Sequence, residues 1–388
     1  MSNNKKILKG ITWNHSRGFT SVVATAQRFT ELNPDVEIIW EKRSLQQFAD
    51  MSIQQLAEKY DLLVIDHPWA GFAAGTKSIL PLDEYLSEEF IKDQEVNSVG
   101  RSHESYHFNN NQWALAIDAA TPVASSRPDL LDQHNFKTPQ TFEDLLALAE
   151  KGLVACALIP IDVLMAFYGF CATLGEDPCL EEDTVISESV GVKALQLFKS
   201  LTDRIDQSFF DKNPIQVYEA MVNTDKVAYC PFAYGYSNYS RDGYAAHLLH
   251  FHDTVSLEDK GNLVTSLGGT GLAISSSSKY IDEAVRYVEF TGRPHTQEYL
   301  FFDNGGQPGH LQAWESEHTN AASHNYFRNT LPTLQRAYLR PRYQGHMYFQ
   351  DHAGDIVRDY LLNGGNEIAV LEQLNVLYKK SRNLVGED

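Results

Sequence analysis

The sequence predicts an α/β protein with two lobes, on three observations. The first seventy residues alternate strand and helix patterns, the opening of an α/β domain. The chain has 388 residues, too many for one ordinary domain and suited to two of roughly 150–200 residues each. Its residues are 43% hydrophobic, 11% aromatic and 21% charged, which supplies sizeable cores and excludes a wholly disordered chain. The charge is lopsided: 32 Lys and Arg stand against 51 Asp and Glu, for a net −19. Phosphates repel such a chain, so no nucleic-acid or anionic-membrane partner is expected.

Each element has a local reason. Residues 7–13 read as a first strand, and the polar loop Asn14-His15-Ser16-Arg17-Gly18 follows. Val22, Ala26 and Phe29 then recur at helical spacing, until Asn33-Pro34-Asp35 stops the helix. Residues 36–40 are expected as a second strand and 48–60 as a second helix. Leu62-Leu63-Val64-Ile65 is an unbroken apolar run, the mark of a strand buried on both faces.

Further on, residues 104–108 and 112–118 read as two strands around Asn109-Asn110-Asn111. Thr141 and Asp144 make a capping-box-like start for a helix that stops by Gly152. Residues 152–175 form the longest apolar region. Pro160 and Asp162 interrupt it, so it is expected as a buried strand and a core helix, with no membrane span. Helices are expected over 191–205, 281–291 and 296–304, and strands over 227–232 and 272–275. The last stretch, 351–383, reads as helix interrupted at Gly364-Gly365.

Several of these marks fall in a familiar order. They are Asn33-Pro34-Asp35-Val36, then Tyr60-Asp61-Leu62-Leu63-Val64 leading to Asp66, then Leu80-Pro81-Leu82-Asp83. Gln112-Trp113-Ala114-Leu115-Ala116-Ile117-Asp118 follows, then Lys137-Thr138-Pro139 before a helix, and Gly268-Gly269 before a strand. In this order the chain resembles family 1 extracellular solute-binding proteins over about residues 7–310. The resemblance implies a type II periplasmic-binding-protein fold: two α/β lobes joined by crossover strands, hinging closed on a ligand between them. It places the first crossing near 117–123 and the return near 267–274. The lobes are then expected as 1–118 with 272–330, and 119–271 with 331–388.

Ligand-contacting residues are expected where loops leave the strand ends. After the first strand these are Trp13, Asn14, His15 and Arg17; after the second, Arg43, beside Lys42; after the third, Asp66, His67 and Trp69. Asp118 ends the crossing strand. Asp accepts hydrogen bonds from hydroxyls and Trp stacks on a sugar face or a cation. On the second lobe the candidates are Tyr168, Tyr234 and Tyr236, with Asp162, Phe232 and Asn238 also considered. Gly269 permits close backbone approach, and Gln307 follows a Gly-Gly turn. Arg340 and Tyr348 could reach the cleft late in the chain. For each, the plain alternative is an ordinary loop or core residue.

No cofactor or metal is expected. Cys156, Cys171, Cys179 and Cys230 lack CxxC or zinc-ribbon spacing and read as buried reduced thiols. His103-Glu104-Ser105-Tyr106-His107 matches HExxH, but an Asn-rich turn and a strand follow, not the long helix that the zinc motif needs. His247, His250, His252 and Asp253 read as a satisfied or solvent-facing set. No GxSxG or P-loop spacing is present.

The expected function is binding of a small polar solute, carbohydrate first, as the substrate-binding component of an ABC importer with a permease partner. The alternatives are a cytosolic enzyme on the same fold, acting on a small organic acid or its acyl conjugate through groups such as Cys230, and an interaction module. The first residues show no signal-peptide pattern, because Lys9 interrupts the apolar run. The resemblance implies the periplasm or cell envelope, and the chain as it stands the cytoplasm.

Overall fold

The computed structural model describes residues 5–45, 47 and 51–384. In the first lobe, β1 (Lys6–Trp13) pairs in parallel with β2 (Val36–Arg43) on one side and with β3 (Leu62–Ile65) on the other. All four residues of β3 are buried, as expected for a strand covered on both faces. Helix α1 (Ser16–Leu32) lays Val22, Ala26 and Phe29 on one face of this sheet. It ends at Asn33, whose side-chain amide donates to the Phe29 carbonyl at 2.8 Å. Helix α2 (Trp69–Thr76) contributes Trp69 and Phe72 to the opposite face.

The next segment departs from expectation. Residues 102–105 form a single helical turn, and only β4 (His107–Phe108) and β5 (Asn111–Gln112) pair across the turn. Asn109 and Asn110 hold positive φ there. The expected strand over 112–118 is two strands, β5 and β6 (Leu115–Asp118). The break is fixed by the buried Gln112, whose Nε2 donates to the carbonyls of both His103 and Ala114 at 3.0 Å. Of the expected helix 48–60, Phe48–Asp50 lie outside the described residues, and Ile53–Ala57 is helical.

The chain leaves the first sheet after Asp118 and enters β7 (Pro122–Ser126), within the expected crossing. β7 is the centre of a three-stranded sheet, antiparallel to β8 (Tyr229–Tyr234) and to β9 (His250–His252). The chain returns as β10 (Thr270–Ile274), antiparallel between β3 and β6, so the first sheet runs β2-β1-β3-β10-β6. The second core gathers Phe142, Phe170, Phe198 and Phe232. The Thr141–Asp144 capping box is present, with both bonds at 3.1 Å. Residues 152–159 form no strand beyond a bridge from Val154 to Tyr229, and helix α3 (Pro160–Thr173) follows.

Position 330, where one lobe segment was expected to end, falls inside helix α4 (Tyr326–Gln335), whose Phe327 and Leu334 share one core cluster with Val123 and Phe251 of the second sheet. Helices α5 (His346–Asn363) and α6 (Glu367–Arg382) follow, separated at Gly364-Gly365 as expected. Among the described residues no helix is long and apolar enough to cross a membrane.

Candidate functional site: the cleft between the lobes

A cleft of about 570 Å³ lies between the two lobes. This is within the roughly 300–1,000 Å³ usual for small-molecule sites. The first lobe lines it with Trp13 at the end of β1, Arg17 in the first turn of α1, Leu45, and Asp66 after β3. The second lobe adds Pro160, Ile161 and Asp162 at the start of α3, Asn213 and Pro214, and Tyr234 and Tyr236 around the end of β8. Gly268, Gly269 and Thr270 form the returning crossing, and Arg340, Gln350, Asp351 and Asp355 close the remaining side.

The crossing needs Gly269. Its φ is +90°, and a Cβ there would meet the Asp118 carbonyl oxygen at 2.4 Å. The other crossing strand is therefore in direct backbone contact. Gln307 latches the same junction. Its Nε2 donates to the Ala119 carbonyl at 2.8 Å, and its Oε1 accepts from the Ser237 N–H at 3.0 Å.

Both lining cations are already engaged. Arg17 donates through Nε and Nη2 to the two Asp118 oxygens at 2.8 and 2.5 Å, and through Nη1 to the Gly235 carbonyl at 2.8 Å. Burial opposes its charge, but the Asp118 carboxylate outweighs burial and raises the Arg17 pKa. Arg340 donates from Nη2 to both Asp66 oxygens at 2.6 and 2.8 Å, and from Nη1 to Gln350 Oε1 at 2.9 Å. Burial would raise the Asp66 carboxyl, yet the Arg340 guanidinium leads the effects that hold it well below the usual carboxylate range. Each pair ties parts of the chain distant in sequence, and the arginines are scaffold as much as surface.

The sequence-predicted residues divide accordingly. Trp13, Arg17, Asp66, Tyr234, Tyr236 and Gly269 line the cleft. Asp118 reaches it only through Arg17, and Gln307 is fully buried behind it. Asn14 is exposed and away from the lining. His15 caps α1 through Nδ1, packs against Tyr236 with ring centroids 4.5 Å apart, and is not a lining residue. Arg43 is buried and donates to the Gln47 carbonyl at 3.1 Å, while Lys42 lies over the Phe19 ring.

His67 and Trp69 are turned away from the cleft. His67 is fully buried beside Asp66 and Arg340, and burial followed by the Arg340 charge lowers its pKa to about 4. Trp69 is 5% exposed and packs edge-on to Phe72 in the first-lobe core. Tyr168 is likewise core, packed edge-on to Tyr338. In each case the apolar body of the ring is better buried among core side chains than left at a strand mouth.

Sequence reasoning named Asp162 and Arg340 only in passing, and it missed Leu45, Asn213, Gln350, Asp351 and Asp355. Asp351 and Asp355 are spaced i, i+4 on a helix that was expected, so one shared face was readable. Which partner that face meets was not.

The remaining motifs do not form sites. His103 is buried and His107 exposed, and His252 Nε2 hydrogen-bonds to Ser126 Oγ at 2.8 Å. Asp253 is paired with Arg336. No metal-binding cluster gathers among the described residues. Cys230 is buried, and desolvation pushes its thiol up to about 12, which removes the thiolate that a nucleophile requires.

Comparisons with known proteins agree with this architecture. The model of the family described as bacterial extracellular solute-binding protein matches residues 24–325. A maltotriose-binding protein of Pyrococcus abyssi is 25% identical over 126 residues, 32% of this chain and 26% of that protein. The chain thus matches about a quarter of that relative's length. Among solved structures, maltose-bound T. maritima MalE3 superposes with a TM-score of 0.81 at 15% identity, over 96% of this chain and 99% of that one. A solute-binding protein from Agrobacterium radiobacter K84 in complex with ribitol gives 0.81 at 17% identity, over 98% and 100%. The structural matches establish the two-lobed periplasmic-binding fold, and the family match covers most of the sequence. The chain belongs to the bacterial extracellular solute-binding proteins.

Proposed function

We propose that this protein binds a carbohydrate in the interlobe cleft, as the substrate-binding component of an ABC importer at the cell envelope. The observation that carries this reading is the lining, which sets the partly exposed Tyr234 ring, with Trp13 and Tyr236 behind it, beside carboxyl and amide groups. A sugar presents C–H faces and a ring of hydroxyls, so it needs that combination. The named relatives bind maltose or ribitol, or are called maltotriose-binding, which supports the same class. An organic-acid ligand is less well served, because Arg17 and Arg340 are already paired with Asp118 and Asp66. Closure of the lobes would occur at the crossings around Asp118, Gly269 and Gln307.

Calorimetric titration with maltose, maltotriose, ribitol and a set of organic acids tests the reading. A carbohydrate is expected to bind, and Tyr234→Ala is expected to weaken it at least about tenfold, or ~1.4 kcal/mol. Tyr234 is only partly buried, so this variant removes a lining ring with limited effect on the core. Binding of an organic acid with no response to any carbohydrate would overturn the proposal.

A further inference from the structure

One wall of the cleft holds a carboxyl group that the fold does not satisfy. Asp162 is 9% exposed and lies in the first turn of α3, on the cleft lining. Its Oδ2 is buried with no hydrogen-bond partner among the described residues. A buried polar atom left this way is costly, and on a cleft wall a donor from a ligand would satisfy it.

A second carboxyl faces the same space from another helix. α5 crosses the start of α3 so closely that a Cβ at Gly354 would meet the Pro160 carbonyl oxygen at 2.1 Å. A glycine inside a helix is unfavourable, and here it permits this approach. The contact sets Asp355, the next residue, on the cleft lining near the start of α3, with Asp351 a turn earlier. Asp355 forms no ion pair among the described residues, whereas the lining cations Arg17 and Arg340 are matched by Asp118 and Asp66. Asp355 therefore brings to the α3–α5 wall a carboxylate that neither lining arginine matches.

We infer that the ligand is a carbohydrate bearing a protonated amine, with its ammonium group held between Asp162 and the Asp355 side of α5. This rests on the carbohydrate reading of the cleft and narrows it to cationic amino sugars. A neutral sugar hydroxyl would satisfy Asp162 Oδ2 as a hydrogen bond, but it would leave the wall's charge unbalanced. An ammonium does both, since it carries three donors and a positive charge. Burial pushes the Asp162 carboxyl up to about 8, and a cation beside it favours the ionised form.

The test compares binding of three disaccharides at neutral pH: the glucosamine dimer, its N-acetylated form, and cellobiose. N-acetylation keeps the ring and removes the charge. The glucosamine dimer is expected to bind at least about tenfold more tightly than the acetylated form. That ratio should fall toward one in Asp162→Asn, and more modestly in Asp355→Asn. The exposed Asp355 site carries the test if Asp162→Asn does not fold. Equal or tighter binding of the uncharged sugars overturns the inference and leaves the carbohydrate reading standing. If all three fail and spermidine binds in an Asp162-dependent way, amine recognition stands and the carbohydrate reading falls. No binding of any of the four overturns both.

Discussion

At the residue scale, position relative to the strand mouth separates residues that look alike in sequence. Trp13 ends one first-lobe strand and Trp69 follows another, but only Trp13 is part of the cleft lining, while Trp69 packs with Phe72 in the core. Trp69→Ala is thus expected to cost about 3–5 kcal/mol of stability, the usual range for deleting a buried aromatic. Urea denaturation measures this. Ligand affinity of the folded fraction should stay within about twofold, or ~0.4 kcal/mol. A variant with unchanged stability and lost binding would place Trp69 in the site instead. The same contrast holds for the charges. Arg17 and Asp66 were readable as polar groups at strand ends, but their pairing with Asp118 and Arg340 was not. Those partners lie 101 and 274 residues away in sequence.

At the element scale, the crossings are held by close backbone contact. Gly269 combines a φ of +90° with a Cβ position 2.4 Å from the Asp118 carbonyl oxygen, while Gly152 has a φ of +70° and nothing within 4 Å. Gly152→Ala therefore reports the left-handed conformation alone, about 1–2 kcal/mol. Gly269→Ala should cost more than that, because the crossing strand must also shift. Denaturation midpoints of the two variants give the comparison, and equal midpoints would show that the crossing yields freely. The capping box at Thr141 and Asp144 and the stop at Asn33 were legible because caps are local hydrogen-bond patterns. The break between β5 and β6 was not legible. It depends on the Gln112 side chain reaching the His103 carbonyl, a contact that no short pattern encodes.

At the scale of the whole molecule, buried histidines make stability depend on pH. Burial, the leading cause in each case, lowers His67 and His103 to about 4 and His346 to about 3. In the folded protein they stay neutral where the unfolded chain takes up protons, so the unfolded state binds more protons below its ordinary histidine pKa. The histidine contribution to stability is then full above about pH 6.5 and falls as the pH drops toward the folded values, while the raised Asp162 carboxyl acts in the opposite sense. At about pH 5 each fully buried histidine is expected to have withdrawn roughly 2 kcal/mol. Thermal melts of Asp162→Asn, which removes that opposing carboxyl, between neutral pH and about pH 5 check this. A melting temperature that holds or rises on acidification would contradict it.

The sequence by itself determined the α/β alternation, the two-lobed plan, the crossings and the family resemblance. Strand runs, helix periodicity, caps and Gly-Gly turns are set by neighbours within a few residues, and their order along the chain survives in the text of the sequence. Only the tertiary structure decided which polar groups line the cleft. The approach of α5 to α3 at Gly354 brings Asp355 to the wall that holds Asp162, residues nearly two hundred apart in the chain. It likewise decided that the cleft's arginines would be paired with Asp118 and Asp66 while Asp355 would not be ion-paired among the described residues. Charge balance in a cleft is a sum over chain segments that meet only after folding, and local sequence does not contain that sum.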